Sequence, residues 1–327
     1  MGWWEVNADT LAGSRFVVSP LAETTACLIA LERARAAHPG ERRWLEAHLP
    51  GYRARLAADP VTALLVRCAL GRTWIADFLT LAPAGEGSPG FEEEVERVRR
   101  TPPGTARADV GTTLRGPLPA ALHRSDLPER AARLLEWVWE ETVLPYWPRR
   151  RRVLEADILA RTDRLTQGGW AAVLDGMRPG TRWLGGNRLQ INTHDYPPQE
   201  LAGVRLMFVP VTPGQGWVTW SADTPVPRYA LVYPCSGTLA EPDRAAAPEA
   251  LGRLLGPARA GVLVLLGTPM STSQLVALTG QGLGSVGRHL RVLLDAGLVR
   301  RRRAGRSVLY QRTAAGETLV GASAQAG

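Results

Sequence analysis

Leu283-Gly284-Ser285-Val286-Gly287-Arg288-His289-Leu290-Arg291-Val292-Leu293-Leu294-Asp295-Ala296-Gly297-Leu298-Val299-Arg300-Arg301-Arg302-Arg303 decides the fold of the last quarter of this 327-residue chain. At about 100° per residue, Leu283, Val286, Leu290, Leu293 and Leu294 share one side of a helix expected over Leu283 to Ala296 and are predicted core. Gly284, Ser285, Arg288 and Arg291 fall on the opposite side, and Gly297 supplies the stop. The run that follows alternates its arginines between the two faces of an extended strand.

Working outward, Pro257 starts an earlier helix as a first-turn proline. Ser271 or Thr272 can cap a further helix over Ser273 to Leu278, which Gly280 ends. Leu298 to Arg303 and Ser307 to Arg312 form two strands around a tight Ala304-Gly305-Arg306 turn, and a short helix over Ala314 to Val320 closes the unit. The order of helix, helix, turn, helix, hairpin is that of a winged helix, predicted over residues 249–327.

Charge assigns a partner to this unit. From Ala250 onward there are ten arginines against Asp295 and Glu317, a surplus of +8, whereas the first 249 residues carry 29 charges of each sign. A local cationic excess favours a double-stranded DNA partner. Arg288 is long enough to fork onto guanine in the major groove, and Ser285 can donate to a base edge or phosphate. Gly284 and Gly287 let the backbone approach closely. His289 on the flank suits a phosphate, and Thr272, Ser273 and Gln274 at the start of the preceding helix are also expected among the DNA-binding residues. Arg301, Arg303 and Arg306 on the hairpin are expected to touch backbone phosphates or to lie in the minor groove beside the helix, and Tyr310 to add a phosphate hydrogen bond or to cover the base of the wing. All 39 basic residues are arginine, the better fork for phosphate and guanine.

Residues 256–320 resemble the winged helix of ArsR-type transcriptional regulators, above all in Arg288-His289-Leu290-Arg291-Val292-Leu293, Ala296-Gly297-Leu298-Val299 and Gly305-Arg306-Ser307-Val308-Leu309-Tyr310. The resemblance implies a bacterial homodimer that reads an inverted-repeat operator, usually as a repressor released by a signal. Two features depart from the family: Gly287 stands where serine is frequent, and no cysteine lies in residues 250–327, so the family's metal-sensing box is missing. Ser19-Pro20-Leu21-Ala22-Glu23, Arg152-Val153-Leu154-Glu155-Ala156-Asp157-Ile158 and Tyr233-Pro234 are similar to a domain found ahead of this winged helix in long bacterial regulators, for which the resemblance brings no ligand.

Residues 1–245 are predicted as one α+β domain that senses an effector, dimerises, or both. Its helical part covers about 1–180, with helices over Leu21 to Ala37, Val61 to Leu81, Glu92 to Arg100, Pro128 to Leu144 and Arg150 to Leu165, the last stopped by Gly168-Gly169. Ala82 to Gly90 and Thr101 to Pro119 read as Pro- and Gly-rich loops. A small antiparallel sheet is expected over 181–235, from a hairpin at Arg182 to Ile191 turning at Gly185-Gly186-Asn187 and strands over Val204 to Val211, Gly216 to Trp220 and Tyr229 to Tyr233. Ser236 to Pro248 reads as the linker.

All eleven tryptophans lie at or before Trp220. A tryptophan-lined pocket for an apolar small-molecule effector, drawn from Trp137, Trp139, Trp147, Trp170, Trp183, Trp217 and Trp220, competes with ordinary core packing. Arg149 to Arg152 reads as a solvated helix end, with Arg151 pairing to Glu155 one turn on. Gly280-Gln281-Gly282-Leu283-Gly284-Ser285 mimics a dinucleotide fingerprint but follows no strand. The rival class is an enzyme-like front domain built on His194-Asp195, Cys235 and His123. No nucleophile elbow, metal spacing or phosphate loop accompanies these residues, so neither catalytic residue, metal nor cofactor is assigned. RNA binding would need exposed aromatics among the basic residues, and Tyr310 is the only aromatic after Tyr233. Three widely spaced cysteines, no apolar run of roughly 18 residues and no basic leader lead to the expectation of a cytoplasmic chain outside the membrane.

Overall fold

The structure is a computed structural model that describes residues 2–36, 39–84, 89–194, 196–221, 226–235, 248–267, 269–279, 281–304 and 307–325. The chain divides into two compact units, one of residues 1–150 with 174–235 and one of residues 151–173 with 236–327. Arg151–Val173, which sequence grouped with the front helices, therefore belongs with the C-terminal segment.

In the first unit the elements run β1 (Trp3–Val6), α1 (Ala8–Gly13), β2 (Arg15–Phe16), α2 (Pro20–Arg33), α3 (Pro39–Ala58), α4 (Pro60–Ala69), α5 (Phe91–Arg99), α6 (Pro103–Leu114), α7 (Leu127–Val138) and the first residues of α8 (Trp147–Leu174). They continue with β3 (Arg182–Gly185), β4 (Arg188–Gln190), β5 (Gln199–Leu201), β6 (Arg205–Val211), β7 (Trp217–Ser221) and β8 (Arg228–Pro234). Start signals explain several helices: Ser19 and Asp59 cap α2 and α4 through their side chains, each followed by a proline at the first turn. α8 is broken at Gly169, whose φ of 66° lies in the left-handed region, at the glycine pair read as a stop.

Two four-stranded sheets replace the single antiparallel sheet expected. One has the order β3-β4-β1-β5 and the other β2-β6-β8-β7. β6 and β8 run parallel in a seven-residue register from Arg205↔Arg228 to Val211↔Pro234, while β7 pairs antiparallel to β8 at the edge. The reason lies in the strands themselves: Leu206 to Val211 and Ala230 to Tyr233 are buried without alternation, which is the pattern of a strand covered on both faces. β1 and β2 also bring strand into the part read as helical, with β1 antiparallel to β4 and parallel to β5. Helix α6 occupies most of the predicted Thr101–Pro119 loop, since Pro102 and Pro103 sit at its start, where they cost no hydrogen bond.

The main core of this unit packs α2, α4, α5 and α7 with the inner faces of β6 and β8. At its centre Glu23 is fully buried; its carboxylate accepts from Arg150 Nη1 at 2.6 Å, from the Thr212 amide at 2.8 Å and from the Thr212 hydroxyl. Arg150 is thus a core residue, its guanidinium 5.2 Å from the centre of the Trp44 ring. Arg151 pairs with Glu155 at 2.9 Å, as its spacing predicted. Cys27, Cys68 and Cys235 are free and buried, and burial holds the Cys27 thiol well above its ordinary range. Among the described residues no helix is long and apolar enough to cross a membrane.

The second unit adds α9 (Glu249–Leu255), α10 (Pro257–Leu265), β9 (Met270–Ser271), α11 (Thr272–Thr279), α12 (Leu283–Asp295), β10 (Val299–Ala304), β11 (Ser307–Arg312) and α13 (Ala314–Gln325). Helices α10, α11 and α12 pack on one another, and α12 packs against β10. Leu251, Ala260 and Val264 form a second small seam with Leu255, Leu319 and Val320, joining α9, α10 and α13.

Candidate nucleic-acid interface

Helix α12 divides along its length as the wheel requires. Val286, Leu290 and Leu293 are buried, each contributing about 1.5–3 kcal/mol through its apolar surface. Arg288 and Arg291, three apart on the opposite side, are exposed, as is Gly284, and Gly287 is half-buried. Two of the predicted core positions differ. Leu283 is 63% exposed because it is the first residue of the helix, and Leu294 is only half-buried. The helix ends in a Schellman arrangement: Gly297, at φ 67°, donates to the Leu294 carbonyl at 2.9 Å, and Leu298 donates to that of Leu293 at 3.0 Å. That left-handed residue sends the chain straight into β10.

The hairpin is fixed at its base. β10 and β11 pair from Val299↔Arg312 to Ala304↔Ser307, and β11 also pairs with β9 through Leu309↔Ser271 and Tyr310↔Met270. The amide of Arg312 donates to the Leu266 carbonyl at 2.9 Å and that of Thr313 to the Leu298 carbonyl at 3.0 Å, tying the ribbon to the ends of α10 and α12. Opposite residues of an antiparallel pair share a face, so Arg301 lies with Tyr310 and Arg303 with Val308, while Arg300 and Arg302 point the other way. Arg300 donates to Gln311 across the ribbon at 3.3 Å.

These parts converge on one concave surface lined by Gly284, Gly287, Arg288, Arg291, Leu294 and Asp295 of α12 and by Arg301 and Tyr310 of the hairpin. Five of the predicted contact residues of α12 and β10–β11 therefore meet there with Tyr310. Arg288, Arg291, Arg301, Arg302 and Arg303 are exposed, and none forms an ion pair among the described residues. The surface carries a net cationic field, with Asp295 its one acidic group among the described residues.

Ser285 and His289 sit beside this surface, half-buried. The Ser285 hydroxyl donates to Gln281 Oε1 at 3.2 Å and lies 3.3 Å from His289 Nε2. Burial, reinforced by Arg259 and Arg288, lowers the His289 pKa, so the ring is neutral at physiological pH and Arg288 and Arg291 carry the charge of this helix. Gln281 was not among the residues singled out from sequence, although its i,i+4 spacing to Ser285 is a usable signal. Thr272 opens α11 half-buried. The side chains of Ser273 and Gln274, and Arg306 with the hairpin turn, lie outside the described residues.

The tryptophans do not share one cavity. Trp137 and Trp147 pack against the main core, the latter edge-on to Trp139 at 5.2 Å. Trp183 lies on β3, and Trp170 lies in the part of α8 that belongs to the second unit. Trp217 and Trp220 do line a cavity, together with Trp74 and His194. Asp195 lies outside the described residues, Cys235 is buried, and His123 is exposed, with its Nε2 3.2 Å from the Leu118 carbonyl.

Residues 254–302 match the model of a family described as a helix-turn-helix domain. The match spans α10 to α12 and, in β10, Arg300 to Arg302, and it supports a helix-turn-helix DNA-binding regulator. No curated protein and no solved structure matches the chain.

Proposed function

We propose that the chain is a sequence-specific transcriptional regulator of the ArsR type, acting as a homodimeric repressor in the cytoplasm through a winged helix at residues 249–327. Helix α12 enters the major groove, where Arg288 forks onto a guanine and Arg291 meets the adjacent phosphates. The hairpin lies along the backbone beside it, and Arg301 and Arg303 position the helix without reading sequence. The convergence of Arg288, Arg291, Arg301 and Tyr310 on one concave cationic surface carries this reading. The first unit then serves as the module that answers a signal, by altering the separation of two recognition helices that must sit about 34 Å apart.

Footprinting on the DNA upstream of the protein's own gene tests the proposal. Protection of two half-sites related by a dyad and spaced by about one turn of the duplex is the expected result. A single unrepeated footprint overturns the homodimer, and protection of every sequence alike overturns base reading by Arg288.

A further inference from the structure

The cavity that Trp217 and Trp220 line lies wholly within the first unit and has a volume of about 200 Å³, below the roughly 300–1,000 Å³ typical of drug-sized ligand sites. Its walls come from five separated stretches of chain: the end of α2, the segment after α4, the turn after α8, the loop after β4 and the start of β7. Three of the lining residues are arginines, Arg33, Arg72 and Arg178.

None of these three has a carboxylate partner among the described residues. Arg178 donates to the carbonyls of Gly216, at 3.0 Å, and Ile191, and its buried Nε has no partner among the described residues. Burial alone pulls its pKa down to about 10, the mark of a guanidinium held without countercharge. Arg33 likewise rests on neutral acceptors, Gln215 Oε1 at 2.8 Å and the Gly71 carbonyl at 3.1 Å, and Arg72 beside it adds repulsion. Among the described residues the acid in the lining is Asp77, which burial and the neighbouring Asp109 push up to about 7, so a large share of it is uncharged at neutral pH. The cavity is therefore strongly cationic.

Its hydrogen-bonding groups show the same bias. Trp74 and Trp217 both line the space, and the Nε1 of each is buried without a partner among the described residues. An indole N–H only donates, as does a guanidinium, and an unmet buried donor is destabilising until an acceptor reaches it. Beside these donors, Trp74 stands edge-on to Trp220 at 5.7 Å and lies 6.0 Å from the Tyr196 ring, giving the cavity a wall of ring edges and faces.

We propose that this cavity binds a small organic anion, a carboxylate borne on a flat unsaturated body, with Arg33, Arg72 and Arg178 supplying the countercharge and Trp74 and Trp217 donating their indole N–H groups. The carboxylate meets the unpaired donors, and the flat body lies against Trp74 and Trp220. This differs from the apolar effector expected from tryptophan content alone: the indoles contribute donors and a wall, and the arginines select the charge. Binding stands independently of DNA recognition, and only its use as a signal rests on the regulator proposed for this chain.

The test titrates the full chain, at constant ionic strength, with benzoate and indole-3-carboxylate, with neutral benzyl alcohol and with inorganic phosphate, following heat and tryptophan emission. One of the two carboxylates should bind saturably at one site per chain and shift the emission, with benzyl alcohol and phosphate at least about tenfold weaker. Arg178→Gln should weaken the carboxylate most. Because that substitution alters a buried group that braces two carbonyls, Arg72→Gln, at an exposed position, is the safer variant and should lose about tenfold in affinity with an unchanged melting temperature. Absence of saturable binding by both carboxylates, equal binding of benzyl alcohol, or full affinity in Arg72→Gln would each overturn the site. Fluorescence anisotropy of a labelled duplex from the footprinted region separates the two proposals. A carboxylate that binds but leaves DNA affinity unmoved supports the site and removes its role as a signal, and a chain that binds the carboxylate but no duplex leaves the site standing while the regulator reading fails.

Discussion

In the first unit Arg99 holds Glu96, Glu129 and Glu136 at 2.5–2.9 Å, Arg130 holds Asp59 and Asp126, and Arg150 is buried against Glu23. In the second, Arg288, Arg291, Arg301, Arg302 and Arg303 stand in solvent without an ion pair among the described residues. The residue type is the same, and what differs is where the countercharge lies. A guanidinium answered from within its own chain contributes to folding, whereas one left unanswered on a concave surface keeps its field for a partner. The cavity arginines of the first unit make a third group, unanswered like those of the interface but set around a cavity, with Arg178 half-buried and Arg33 and Arg72 exposed.

That contrast is sharpest at Glu23. Removing it in Glu23→Ala leaves the Arg150 charge buried and alone, and urea denaturation should show a loss of about 3–5 kcal/mol. The triple variant Arg288→Ala, Arg291→Ala, Arg301→Ala should stay within about 0.5 kcal/mol of the parent, as surface changes do, while losing most DNA affinity. Equal destabilisation in the two would erase the distinction.

A second contrast is one of pH. Burial pushes Glu94 up to about 7, although its carboxylate accepts from the Leu21 amide and the Ser19 hydroxyl, each at 2.9 Å. Its folded pKa lies above the ordinary value of 4.5, so the native state binds the proton more tightly and stability falls as pH rises from about 4.5 through 7. The loss should reach about 3 kcal/mol by pH 8. Glu94→Gln should flatten that part of the profile, and an unchanged slope between the two proteins would show that the group is ionised throughout.

Within the interface the expected effects are smaller and separable. Arg288→Ala should cost about 1–3 kcal/mol on the preferred duplex and level the ranking of sequences, measured by anisotropy over a set of single-base variants. Arg301→Ala should weaken all duplexes alike and reduce the slope of log K against log salt by about 0.9 for each phosphate that the protein no longer neutralises. If the two variants exchanged these behaviours, the hairpin would be the reader and the helix the clamp.

The C-terminal elements were legible because their signals are local. Pro257 at a first turn, the spacing of Val286, Leu290 and Leu293, and Gly297 at a positive φ each act within a turn or two of chain. In the first unit the decisive contacts are distant. Glu23 meets an arginine 127 residues away, and β1 pairs with strands beyond residue 187, so no window of sequence contains both partners. The parallel pairing of β6 and β8 left a trace in their unbroken apolar runs, which periodicity alone does not separate from a hairpin strand. The cavity left less. Trp217 and Trp220 stood out by type, but Arg72 and Arg178 look like any other of 39 arginines until the fold brings them together.

The pairing of β1 has a consequence for synthesis on the ribosome. Trp4 is completely enclosed, yet Leu189 and Gln199, the residues opposite it, are translated far later. At roughly 5–20 residues per second, its indole waits on the order of ten seconds or more before its strand neighbours exist. Throughout that interval Trp4 lacks its strand neighbours, and the first unit completes its sheets only when β8 has cleared the exit tunnel. Expression should therefore respond to holdase chaperones that cover β1, not to those that act on the arginine-rich segment.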